Sequence, residues 1–241
     1  MNKYYGLIIS LIAGLSTLIG YFFIYLRGNK DKIISIFMPF TSSIMITLSI
    51  IDLIPIGIHN LYIFSNLIKL LICIMFFFIG FFLTHIIRKK YNTDNSLYKT
   101  GIMSMIAIII HNIPEGIATY ALSSIDFKLG LLFSIAIIFH NIPEGITIAI
   151  PIYYSTNNKF KAFIYTFISG ISEFIGALIT MFFLYKYITN TILGILFCTI
   201  SGIMIYIGFE LIEINKNTKN NHIYFVIGSL FILLVELLLK I

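Results

Sequence analysis

The heptapeptide HNIPEGI occupies residues 111–117 and returns, letter for letter, at residues 140–146. Each copy follows an apolar stretch, IAIII at 106–110 and SIAIIF at 134–139. Runs of that kind recur through all 241 residues, which are 59% hydrophobic and 11% charged, with a mean hydropathy of +1.00. About 20 apolar residues, rising about 1.5 Å each, cross the hydrocarbon core of a bilayer as a helix. The chain therefore reads as an all-α integral membrane protein. So little of it lies outside the apolar runs that no room remains for a soluble domain.

Eight transmembrane helices are expected, at about 4–26, 33–56, 62–86, 99–122, 128–153, 161–186, 189–212 and 222–240, in a single transmembrane domain covering 1–241. Polar breaks such as RGNKDK (27–32) and YYSTNNK (153–159) separate them, while the break at 57–61 is tight and uncharged. The first run exceeds 20 residues and no small-x-small site follows it, so it reads as a retained span rather than a signal peptide. The net charge of +6 belongs to the loops, which argues for topology and against nucleic acid. Arg27, Lys30, Lys32, Arg88, Lys89, Lys90, Lys99, Lys159, Lys161, Lys216 and Lys219 fall on one side. Lys3, Lys128, Lys186 and Lys240 fall on the other, with Lys69 near the start of the third span. The positive-inside rule makes the first side cytoplasmic and leaves both termini outside. Tyrosines at span ends, including Tyr25, Tyr62, Tyr91, Tyr153 and Tyr185, replace the missing tryptophan as interfacial anchors. Cys73 and Cys198 lie inside apolar runs and read as ordinary buried thiols.

Against this background the repeated motif is costly. An ionised side chain at mid-bilayer costs about 2.5–3.5 kcal/mol on insertion scales. His111 and His140 sit near the middle of consecutive antiparallel spans, so both copies lie at one depth. On a helix His111 and Glu115 are i and i+4 and share a face, with Asn112 beside them. His140, Asn141 and Glu144 repeat the arrangement. Two imidazoles, two amides and two carboxylates suit Zn²⁺, Fe²⁺ or Mn²⁺ and are too rich in nitrogen for a Ca²⁺ or Mg²⁺ cage. Pro114 and Pro143 remove backbone N–H groups and free the carbonyls of Ile110 and Phe139, which suggests a hinge. Gly116 and Gly145 permit close helix approach. Glu173, flanked by Ser172 and Gly176, is another acid in the middle of an apolar span. A polar seam runs through Ser104, His111, Glu115 and Thr119 in the fourth span, and through His140, Glu144, Thr147 and Pro151 in the fifth.

HNIPEGIATYA (111–121), HNIPEGITIAIPIYYST (140–156) and SGISEFIGA (169–177) resemble the ZIP family of divalent metal transporters, most closely its bacterial zinc-uptake, ZupT-like branch. SSIMITLSIIDLIP (42–55) and SGIMIYIGFELIE (201–213) are weaker echoes. The resemblance implies an eight-span bundle with both termini outside and a two-metal site. One ion would take His111, Glu115, His140 and Glu144. The other would take Asn112, Glu115, Asn141, Glu144 and Glu173, with Glu115 and Glu144 bridging. It also implies that Met45 approaches the first ion and that Asp52 and Glu210 line the path. Pairing of these two acids with helix N-termini or hydroxyls is the alternative. Glu236 reads as a snorkelling acid near the outer surface, and His59, His85 and His222 as interfacial. Residues 88–99 lack the histidine-rich loop of many family members, and Phe209 stands where relatives often carry an acid.

The expected function is import of a divalent cation into a bacterial cytoplasm across the inner membrane. Zinc leads, with iron, manganese, cobalt and cadmium open. Partners are the metal ion and the lipid bilayer. No prosthetic group is expected, and a homodimer is left open. An exporter is the alternative within transport. An intramembrane metalloenzyme would use the same side chains, but HExxH is absent, as is ExxH.

Overall fold

In a computed structural model, residues 4–90, 96–184, 186–213 and 221–239 are described. Eight helices long and apolar enough to cross a membrane run Tyr4–Tyr25, Lys30–Asn60, Asn66–Lys90, Leu97–Ile125, Phe127–Thr156, Lys159–Leu184, Asn190–Glu213 and Asn221–Leu238. They are referred to below as spans one to eight. Lys3, Tyr91, Tyr185, Lys216, Lys219 and Lys240 of the topology argument lie outside the described residues. Span two continues to Asn60, so the second break falls at 61–65 rather than at 57–61. Local chemistry sets several starts. The Asn29 side chain accepts from the N–H of Asp31 at 2.9 Å, and Asn158 accepts from Lys161 at 2.9 Å, each satisfying an orphan donor of a helix N-terminus. Asn157, at φ 50°, closes span five in the left-handed conformation.

Spans four and five are joined by Asp126 alone, whose carboxylate accepts from the N–H of Lys128 at 2.7 Å and of Leu129 at 3.3 Å. His111 stands fifteen residues before that turn and His140 fourteen after it. A tight antiparallel hairpin therefore brings the two motifs to one depth, about 22 Å from the turn at about 1.5 Å per residue.

The two motif prolines sit within continuous helices. Pro114 and Pro143 lie inside uninterrupted helices, Ser96–Ile125 and Phe127–Thr156. A transmembrane helix tolerates the lost bond where neighbouring helices pack around it. Irregular backbone appears elsewhere, as π turns at Ser49–Leu53 and Thr180–Leu184. The first precedes Pro55. There the N–H of Ile54 reaches back five residues to the Ser49 carbonyl, which absorbs the register change before the ring.

Glycines divide the bundle. A side chain added to any glycine within a span would meet a neighbouring span, and the partners fall into two sets. In the first, Gly14 abuts Gly170, Gly145 abuts Thr17, Gly116 abuts Glu173 and Gly101 abuts Ile152, which ties spans one, four, five and six together. In the second, Gly57 abuts Cys198, Gly80 abuts Thr199, Gly202 abuts Phe77 and Gly228 abuts Ser43, which ties spans two, three, seven and eight together. Small residues let backbones approach closely in lipid, where dispersion rather than water expulsion drives packing. Between the sets lies aliphatic surface, with Met45, Leu48, Ile203, Met204 and Ile207 of one set against Ala107, Ala118, Ile146 and Ile150 of the other. Cys73 and Cys198 are buried free thiols.

Candidate metal centre

The first set carries the polar core. His111, Asn112, Glu115, Asn141, Glu144 and Glu173 are completely buried, and His140 is 4% exposed. The imidazoles of His111 and His140 lie 6.0 Å apart, centroid to centroid. Glu115 Oε1 faces both, 3.3 Å from His111 Nε2 and 3.1 Å from His140 Nε2. Glu144 Oε1 is 3.0 Å from His111 Nε2. One donor atom from each of His111, His140 and Glu144 lies within 4.8 Å of the others, the scale on which side chains converge on one ion.

The amides add a directional feature. Asn112 Nδ2 donates to the Ser169 carbonyl on span six at 3.0 Å. Asn141 Nδ2 donates to the Ala13 carbonyl on span one at 2.9 Å and to Glu173 Oε2 at 3.0 Å. With both nitrogens engaged, the oxygens Asn112 Oδ1 and Asn141 Oδ1 remain without a hydrogen bond among the described residues. Glu115 Oε2, Glu144 Oε2 and Glu173 Oε1 are in the same condition. Buried acceptors are normally satisfied, because leaving one bare costs about 1–3 kcal/mol and more for a charge. Several bare oxygens and two imidazoles in one place form a donor set fitted to a divalent cation of borderline hardness.

Span one contributes the Ala13 carbonyl, and Ser10 Oγ donates to the Glu173 carbonyl at 3.2 Å. Sequence reasoning gave span one no part here. Nothing in the spacing of its serines and threonine points to spans five and six.

Of the other expected residues, Met45 is 1% exposed within the aliphatic cluster. Asp52, set in the π turn, lines a cavity of about 400 Å³ with Asn60, Leu132, Phe133 and Glu236. Glu236 is 6% exposed. The snorkelling expectation is corrected, since span eight turns this acid inward to the same cavity as Asp52. Glu210 lines a cleft at the opposite end of the bundle, but its Oε1 is 2.8 Å from Arg88 Nε. Its partner is therefore a guanidinium, not the helix N-terminus or hydroxyl weighed as the alternative. His59, His85 and His222 are exposed at span ends.

A family model described as ZIP Zinc transporter matches residues 88–238. The zinc transporter ZupT of Akkermansia muciniphila is 34% identical over 241 residues, which cover 90% of this chain and 89% of the relative. The zinc transporter ZupT of Streptococcus mutans is 34% identical over 259 residues, 96% of each chain. That of Chlorobium chlorochromatii is 32% identical over 263 residues, 99% of this chain and 98% of its own.

Proposed function

The chain belongs to the ZIP zinc transporter family, and from that premise we propose that it imports zinc across the cell membrane through the buried cluster of spans four, five and six. It is a multi-pass membrane protein and a transporter rather than an enzyme. The observation that carries the reading is the convergence of His111, His140, Glu115 and Glu144 at zero to 4% exposure. Carboxylates at that depth are stable only with a cation or its equivalent beside them.

In this reading one ion binds His111, Glu115, His140 and Glu144. A second binds the bare oxygens of Asn112, Asn141 and Glu173, and Glu115 and Glu144 bridge the two. The imidazole nitrogens must be unprotonated to bind. All proposed ligands come from one chain, so the reading requires no homodimer. Iron(II), manganese, cobalt and cadmium fit the same donors and are the expected competitors.

The basic span ends, Arg27, Lys30, Lys32, Arg88, Lys89, Lys90, Lys99, Lys159 and Lys161, support a cytoplasmic face at that end. The Asp52–Glu236 cavity then opens outward and the Glu210 cleft inward. A potential negative inside contributes about 2.3 kcal/mol per charge per 100 mV, hence about 4.6 for a divalent ion, so import needs no nucleotide. The two glycine-packed sets meet on aliphatic side chains, a surface along which one set can shift against the other and change which end is open.

The test is radioactive zinc uptake into vesicles of known orientation, wild type beside Glu144→Ala. The expected result is saturable inward flux that the variant loses and that excess Fe²⁺ or Mn²⁺ competes. Equal flux in the variant, at equal membrane levels, would refute the site.

A further inference from the structure

Arg88 closes span three and Glu210 lies near the end of span seven, yet their side chains meet. Arg88 Nε stands 2.8 Å from Glu210 Oε1, with the carboxylate side chain 6% exposed and the guanidinium 33%. Both line a cleft of about 410 Å³ together with Phe81, Tyr206, Phe209 and Glu213. The pairing is braced by its neighbourhood. His85, one turn before Arg88, reaches the Tyr206 hydroxyl with Nδ1 at 3.2 Å, and the Phe81 ring meets the Tyr206 ring edge-on at 5.1 Å. Span three is fixed to span seven by Gly80 against Thr199 and Gly202 against Phe77. Arg88 therefore reaches Glu210 from a rigidly held helix end.

Glu213 follows Glu210 by one helical turn. Two carboxylates so spaced, at the mouth of a path for divalent cations, would hold the ion they are meant to pass. A guanidinium is permanently charged, planar and weakly hydrated, so it occupies a half-buried carboxylate without ever leaving by deprotonation. We infer that Arg88 is the resident counter-ion of Glu210, a positioning residue that keeps this mouth from capturing the transported ion. Release at this end then stays fast, and tight binding is confined to the midplane cluster. The inference rests on the proposed transport of a divalent cation through this end.

The test uses purified full-length protein and equilibrium binding of radioactive zinc. The background is Glu115→Ala/Glu144→Ala, which silences the midplane cluster. Within it, Glu210→Gln should leave zinc binding unchanged, because Arg88 already holds that carboxylate. Arg88→Gln should gain one zinc equivalent, and Arg88→Lys should gain none. In the otherwise intact protein, Arg88→Gln should lower the maximal uptake rate and the half-saturating zinc concentration together, each by roughly tenfold, the scale of one unneutralised charge at a half-buried site. Arg88→Lys should restore both. A role in packing alone would not lower the half-saturating concentration, nor be rescued by a side chain of different shape and the same charge. A zinc equivalent lost on Glu210→Gln would overturn the inference, as would no gain on Arg88→Gln. If Arg88→Gln fails to fold, the Glu210→Gln comparison decides by itself. Absence of uptake in the wild type would sink the proposed function and leave these binding outcomes readable.

Discussion

Asn141 joins three spans, and its replacement by leucine tests how the core is held. Leucine keeps the branched four-atom skeleton of asparagine with bulkier ends, so the change removes hydrogen bonds and opens no cavity. Two bonds are lost, to the Ala13 carbonyl at 2.9 Å and to the Glu173 carboxylate at 3.0 Å. A neutral bond between helices in a membrane averages about 0.6 kcal/mol, because the unfolded state in lipid also finds partners. A bond to a charged group contributes about 1.5–3 kcal/mol. Together they predict a loss of about 2–3.5 kcal/mol, with the carboxylate bond the larger part. At about 2–4 °C per kcal/mol for a chain of this size, the melting temperature in detergent without zinc should fall by roughly 4–14 °C. Asn141→Ala should fall further, because it also leaves a void. Ser10→Ala, which loses only the bond to the Glu173 backbone carbonyl, should fall by far less. The assay is thermal unfolding followed by tyrosine fluorescence at fixed detergent and protein concentration. A melting temperature for Asn141→Leu within 2 °C of wild type would refute the reasoning, since the two bonds would then be unmade or worthless. Uptake should fall as well, because the leucine has no oxygen for the second ion of the proposed site.

Further outcomes follow from the same geometry. Glu115→Ala should abolish zinc uptake at normal membrane levels, because Glu115 Oε1 serves both imidazoles; retained flux would contradict the bridging role. Gly116→Ala should cripple uptake and lower the melting temperature, because its methyl group would run into the Glu173 carbonyl, whereas Gly28→Ala, which meets only the Ile33 side chain at 3.6 and 3.7 Å, should behave as wild type. Asp52→Asn with Glu236→Gln should slow uptake at limiting zinc and weaken its dependence on ionic strength, since both acids line one cavity; an unchanged rate at low zinc would remove that cavity from the path.

How much could be read without coordinates follows from what each pattern encodes. Run length alone yields eight membrane helices, because the bilayer thickness sets a residue count. Helical periodicity puts His111 with Glu115 and His140 with Glu144, and their places near the middle of consecutive antiparallel spans set both motifs at one depth. These are local properties, and a sequence carries them openly. Which atoms meet across spans is not local. Asn141 could have met any neighbouring helix, and close glycine packing selected span one, where the Ala13 carbonyl waits. Glu236 read as a surface acid because hydropathy says nothing about helix rotation, and the packing of span eight turned it inward beside Asp52. The Arg88–Glu210 pair joins positions 122 residues apart, with no spacing rule to link them. The division into two glycine-packed sets is likewise a property of which helix faces adjoin. By itself the sequence determined the number of helices, the depth of the repeated motif and the face of each helix that carries its polar side chains. Tertiary structure alone decided which partner each buried polar atom received, because in lipid that choice is made by the shape of facing helices rather than by the order of residues along any one of them.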